Sequence, residues 1–135
     1  MRVPVDIILH KQSRALELVY EDGVKYELPY EFLRVMSPSA EVQGHTPDEA
    51  VLQVGKRDVT IVGVEPVGAY ALRLVFSDGH DSGFYDWEYF VELGENQKVY
   101  WQDYLTKLVV AGASRDPDDP CNEPFKPKHK KACGR

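Results

Sequence analysis

The first apolar runs of the chain are short and strand-like. Val5-Asp6-Ile7-Ile8-Leu9-His10 predicts one strand, and Ala15 to Tyr20 a second, with Leu16, Leu18 and Tyr20 at every other position on one face. Glu21-Asp22-Gly23 then predicts a tight turn, because Asp-Gly tolerates the positive φ that hairpins require, and Val24, Tyr26 and Leu28 return as a third strand. Pro29 has the fixed φ of a first helical turn, so Tyr30 to Val35 is expected to be a short helix. Residues 36–50 hold two prolines and a glycine with no period, which predicts a long connection, and Val51 to Val54 predicts a brief edge strand.

Stronger strands are expected over Asp58 to Val64 and Tyr70 to Phe76, with Ser77-Asp78-Gly79 turning the chain and His80 to Tyr85 returning. Asp86 is placed to cap a helix through Leu93, which Gly94 is expected to stop in the left-handed conformation. A last helix from about Glu95 to Ala111 would put Trp101, Leu105, Leu108 and Val109 on one face before Gly112.

These elements contain an internal repeat. Ala15-Leu16-Glu17-Leu18-Val19-Tyr20-Glu21-Asp22-Gly23 matches Ala71-Leu72-Arg73-Leu74-Val75-Phe76-Ser77-Asp78-Gly79 at an offset of 56, and Tyr30-Glu31-Phe32-Leu33 matches Trp87-Glu88-Tyr89-Phe90 at 57. A hairpin with one apolar face must be covered, and the aromatic helix after it can do the covering. The expected architecture is a single α+β domain, residues 1–114, in which two hairpin-plus-helix units pack as a small antiparallel-rich sheet with helices.

Beyond Ser114 the composition turns to Asp-Pro-Asp-Asp-Pro and then lysines, which predicts a disordered basic tail over residues 115–135. Charge divides the same way: residues 1–120 carry 11 basic against 21 acidic side chains, while residues 121–135 carry five basic and one acidic. An acidic body repels phosphate backbones, so nucleic-acid binding is expected only as weak contacts of the tail. No apolar run reaches the roughly 18 to 20 residues that span a bilayer, and both cysteines, Cys121 and Cys133, lie near the end; a reducing cytoplasmic location is expected.

The segment Leu33-Arg34-Val35-Met36-Ser37-Pro38-Ser39-Ala40-Glu41-Val42 resembles the Leu-Arg-x-x-Cys-Pro-Cys-x-x-Cys stretch of the gamma-butyrobetaine hydroxylase N-terminal domain. Val75-Phe76-Ser77-Asp78-Gly79-His80 with the Trp87 helix resembles that domain's second signature, whose histidine completes a zinc site. The likeness covers about residues 5–110 and is nearest to stand-alone bacterial members of unknown function. What the resemblance implies is a Cys₃His zinc site at Ser37, Ser39, Val42 and His80, and here all three thiolates are replaced. Neutral hydroxyls are poor zinc ligands and valine is none, so zinc is not expected. The catalytic iron centre of the full-length hydroxylases belongs to a separate domain, and none of His10, His45, His80 or His129 is followed by an acid two positions later.

His80 is therefore expected to tie the serine-containing loop to the sheet by hydrogen bonding. No nucleophile–base pair or phosphate-cradling glycine loop is legible. The expected function is a non-catalytic interaction or scaffold domain that docks a protein partner through loop 36–50, His45 included, and through exposed aromatics, of which Tyr85, Trp87 and Tyr100 are the candidates. The second expectation is an accessory in metal or iron–sulfur handling, since similar domains are appended to P-loop iron–sulfur carriers; Cys121, His129 and Cys133 are its candidate ligands. A small-molecule enzyme ranks third. No metal is expected in the folded domain.

Overall fold

The computed structural model of the chain describes residues 2–44, 46 and 49–125. Strands β1 (Asp6–His10), β2 (Ala15–Val19) and β3 (Lys25–Pro29) form one antiparallel sheet, and β4 (Ile61–Val67), β5 (Ala71–Phe76) and β6 (Phe84–Asp86) form another, each in sequence order. The α+β class and both hairpin-plus-helix units stand. The three strands expected before each helix are present, but the antiparallel pairing is divided between two sheets rather than gathered in one.

Alternation decides which faces meet. Leu16, Leu18 and Tyr20 from the first unit and Leu72, Leu74 and Phe76 from the second are buried at matching positions in one core. Helix α1 (Tyr30–Val35) follows β3, and α3 (Trp87–Glu95) follows β6, adding Tyr30, Phe32, Leu33, Trp87, Phe90 and Leu93 to that core. The short α2 (Ala40–Gln43) lies inside the expected long connection, with the Ser39 hydroxyl capping its Glu41 amide at 3.1 Å. Helix α4 (Gln97–Ala111) closes a smaller cluster of Val35, Val54, Tyr104 and Leu108.

Several expectations need correction. Val51 to Val54 forms no strand among the described residues. Gly94 does not stop a helix; it lies within α3, where a Cβ would collide with the Tyr26 ring, and Asn96 ends the helix instead. On α4 the inward set is Trp101, Tyr104, Leu105 and Leu108, whose spacing follows the 3.6-residue period, while Val109 is 79% exposed. Asp86 and Gly112 act as expected: the Asp86 carboxylate accepts the Tyr89 amide at 2.8 Å, and Gly112 adopts φ 71° past the end of α4.

The largest correction concerns the tail. Residues 115–125 are packed, ending in a 3-10 segment (Pro120–Phe125). Arg115 forms a two-pronged ion pair with Glu31 at 2.7 and 2.8 Å, and its amide-bearing neighbours Gly55 and Arg57 donate to Ser114 and Arg115 carbonyls. Asn122 is fully buried; its side chain accepts from the Ser114 amide at 2.8 Å and donates to the Asp116 carbonyl at 2.7 Å. Prolines and aspartates make turns here rather than disorder, because side-chain oxygens of Ser114, Asp116 and Asp119 each accept the backbone N–H two residues on, from Asp116, Asp118 and Cys121. The expected basic segment beyond Phe125 lies outside the described residues. Among the described residues no helix is long and apolar enough to cross a membrane.

Candidate functional site

The turn between α1 and α2 and the turn between β5 and β6 meet at a buried hydrogen-bond relay. Ser37 Oγ and His80 Nε2 lie 2.8 Å apart, and both residues are buried. On its other side, His80 Nδ1 faces Glu41 Oε1 at 3.3 Å. Burial, then the Arg34 guanidinium, hold the His80 imidazole below its ordinary pKa against the opposing pull of Glu41 and Asp78. A neutral ring that donates from Nδ1 to Glu41 must accept at Nε2, so the Ser37 hydroxyl donates to it. That same oxygen accepts the Ser39 amide at 3.2 Å. Ser39 in turn pairs with the Ser82 hydroxyl at 2.6 Å.

Glu41, His80 and Ser37 thus stand in the order of an acid, a base and a hydroxyl nucleophile. Access decides what that order can do. Ser37 is completely buried, Gly83 packs so closely that a Cβ there would overlap Ser37 Oγ, and no face of the hydroxyl is left for an acyl carbon to approach. The relay ties two loops together.

Beside it lies a second polar group. Asp78 accepts from Arg34 Nε at 3.0 Å and Lys56 Nζ at 2.9 Å through the same oxygen, and its other oxygen accepts the His80 amide at 3.2 Å. Burial would raise this carboxyl, but the Lys56 hydrogen bond and the Arg34 charge outweigh it and set its pKa below the usual value. Arg34 also donates to the Gln53 side chain at 2.9 Å. Arg34, Glu41, Asp78 and His80 from these groups line a cleft of about 790 Å³ together with Val51, Leu52, Val54 and Phe125. The Tyr104 hydroxyl holds the 51–54 wall by donating to the Gln53 carbonyl at 2.7 Å.

The four family positions are brought together as expected: Ser37, Ser39 and His80 in the relay, and buried Val42 lining the cleft next to His80. Their donor set suits zinc poorly, since it offers no thiolate, its hydroxyls are already committed, and Val42 offers nothing. The aromatic candidates fall differently. Tyr85 is fully buried and donates to the Leu33 carbonyl at 2.6 Å; burial pushes its phenol pKa far up. Trp87 is buried with its indole N–H on the Ala69 carbonyl at 2.8 Å. Both are corrected from partner surface to core, because period-2 pairing of β6 and the first turn of α3 point them inward. Tyr100 is half-buried and donates to Glu92 at 2.7 Å. Cys121 is exposed, and its hydrogen bond to the Asp119 carboxylate raises its thiol pKa; His45, His129 and Cys133 lie outside the described residues.

Glu41, Ser82, Arg34 and Lys56 are the site residues the sequence did not reveal. Asp78 had a signal, since the repeat aligns it with Asp22, but its cations come from α1 and from the segment before β4.

The family model described as gamma-butyrobetaine hydroxylase-like, N-terminal, matches residues 7–91. The chain belongs to that family. A solution NMR structure of a protein 57% identical covers 88% of this chain and 94% of its own with a TM-score of 0.76, and another, 44% identical, covers 87% of each with 0.75. A crystal structure from Acidithiobacillus ferrooxidans ATCC 23270, of a protein of unknown function in the DUF971 family, is 38% identical over 67% of this chain and 91% of its own, with a TM-score of 0.56. No curated protein matches the chain. The matched span contains all four of Ser37, Ser39, Val42 and His80.

Proposed function

We propose that this chain is a cytoplasmic, non-catalytic recognition domain in which the Ser37–His80 relay stands in for a lost zinc ion and the adjoining cleft receives an extended segment of a protein partner. The observation that carries the reading is the juxtaposition of a sealed hydroxyl with an open cleft: Ser37 is inaccessible, while about 790 Å³ of space lined by both apolar and charged side chains lies beside it. Clefts of this size with convergent polar groups are a usual form of binding site. The wall formed by residues 51–54 belongs to no strand or helix among the described residues and presents Val51 half exposed. A peptide in extended form suits such a wall because its alternate side chains can enter the pocket, with the wall itself held by the Val51 amide on the Val42 carbonyl and the Tyr104 hydroxyl on the Gln53 carbonyl.

Capture from native lysate tests this with three proteins: the full chain, Val51→Asp, and the chain ended after Phe125. Ending it at Ser114 would remove Arg115 and Asn122 from the fold and confuse the result. The expected outcome is one protein retained by the full chain and by the shortened chain and lost with Val51→Asp. Capture that survives Val51→Asp, that depends on residues beyond Phe125, or that fails in every form overturns the reading.

A further inference from the structure

On the outer face of the first sheet, one residue from each strand converges. His10 Nε2 lies 2.7 Å from Glu17 Oε1 and 4.0 Å from Glu27 Oε2, and one ligand atom from each of the three lies within 4.8 Å of the others. The register makes this arrangement obligatory. Glu17 is directly opposite Glu27, and His10 is two residues beyond Ile8, which is opposite Glu17 on its other side. Side chains alternate, so all three point away from the face that buries Leu16 and Leu18.

Two carboxylates directly opposed on neighbouring strands repel unless a cation lies between them. Among the described residues neither glutamate has a Lys or Arg ion-pair partner; Lys25, on the same face as Glu27, forms none with it. His10 is the sole partner of both, and Glu17 is only 14% exposed at its side chain, so its carboxylate is not simply dispersed into water. One imidazole and two carboxylates on three paired strands are a rigid donor set. Zinc takes such N and O ligands at about 2.0 to 2.2 Å with room for a water in the remaining position. Ligand atoms all within 4.8 Å of one another need only side-chain rotations to reach those distances around one ion.

We propose that His10, Glu17 and Glu27 form a surface site for a divalent transition cation of the zinc type, with at least one coordination position left open. This site is independent of the Ser37–His80 relay and departs from the expectation that the folded domain holds no metal. The cation would neutralise the facing glutamates and join the three strands across their outer face.

Zinc titrated calorimetrically into the full chain near pH 7.5, with His10→Ala and Glu27→Gln titrated in parallel, tests it. The expected result is one-to-one binding by the unaltered chain that weakens about tenfold or more in each variant. Glu27 is 63% exposed at its side chain, so Glu27→Gln keeps the test sound if His10→Ala fails to fold. Cobalt as a second probe should give a visible absorption band that both variants lose. Absence of zinc binding by the unaltered chain, or binding that both variants retain in full, overturns the site; the latter would place the ion on other ligands such as Cys121.

Discussion

The residue after the Asp-Gly turn is Val24 in the first unit and His80 in the second, and little else in the two turns differs. Tyr20 N donates to Val24 O at 2.9 Å and Phe76 N to His80 O at 2.9 Å; Gly23 N and Gly79 N each donate back at 3.0 Å. Asp22 accepts the Val24 amide at 3.1 Å, as Asp78 accepts that of His80 at 3.2 Å. The backbone solution is shared, with Gly23 and Gly79 at φ 87° and 91°. What separates the units is what comes to rest against each turn. Arg2 meets Asp22 from an exposed N-terminal segment, whereas α1, α2 and the segment before β4 bring Arg34, Glu41 and Lys56 to the second turn. A common hairpin becomes a polar site when neighbouring elements bury it, and a single side chain after the turn then decides its chemistry.

Matched positions make this comparison breakable. Glu31 and Glu88 align, yet Glu31 is buried against Arg115 and Glu88 is exposed. Arg115→Ala should therefore cost about 2 to 3 kcal/mol by leaving a buried carboxylate unpaired, while Glu88→Ala should stay within ~0.5 kcal/mol; urea unfolding of both variants checks the pair. Next in size, Gly83→Ala should cost about 1 to 3 kcal/mol through overpacking and should displace Ser37 from His80, read as a changed imidazole signal by NMR. Unchanged imidazole resonances would mean the relay does not depend on that close approach.

The pH response comes third. Because the folded His80 pKa is lowered, the unfolded chain takes up a proton below about pH 6.5 that the folded chain refuses. Stability should fall as pH drops through that point and level off below the folded pKa. His80→Val, which copies the first unit, should flatten this part of the pH–stability curve without removing the later loss from Asp78, whose lowered pKa matters only under more acidic conditions. The smallest effect is expected in the first unit: the buried hydroxyls of Tyr20 and Tyr30 have no hydrogen-bond partner among the described residues, so Tyr20→Phe and Tyr30→Phe should each change stability by less than about 1 kcal/mol. Their matched positions hold Phe76 and Trp87, the latter with its N–H paired.

The repeat, the strands with period-2 leucines and the Asp86 and Gly112 caps were legible because each rests on local chemistry. The convergence of Ser37, Ser39, Val42 and His80 was legible through family resemblance. Glu41 and Lys56 were not, since an exposed-looking charge in a loop carries no record of which distant turn it will meet. Tyr85 and Trp87 misled for a related reason: an aromatic rich stretch signals that something is buried, and only the register of β6 says which ring. The acidic and proline-rich composition around Asp116 to Pro120 imitated disorder, while the Asn122 side chain that anchors it is one uncharged residue with no pattern around it.

Helix α1 has only six residues, and its last carbonyls are completed from far along the chain: the Tyr85 hydroxyl donates to Leu33 O across 52 residues, and the Tyr89 hydroxyl to Met36 O across 53. So short a helix is marginal alone. During synthesis, then, the first unit can emerge and form its hairpins, but its helix waits unfinished until Tyr85 of β6 and Tyr89 of α3 have left the ribosome. The two look-alike halves are consequently born in sequence and completed together, and a chain cut between them should yield two fragments that fold only in each other's presence.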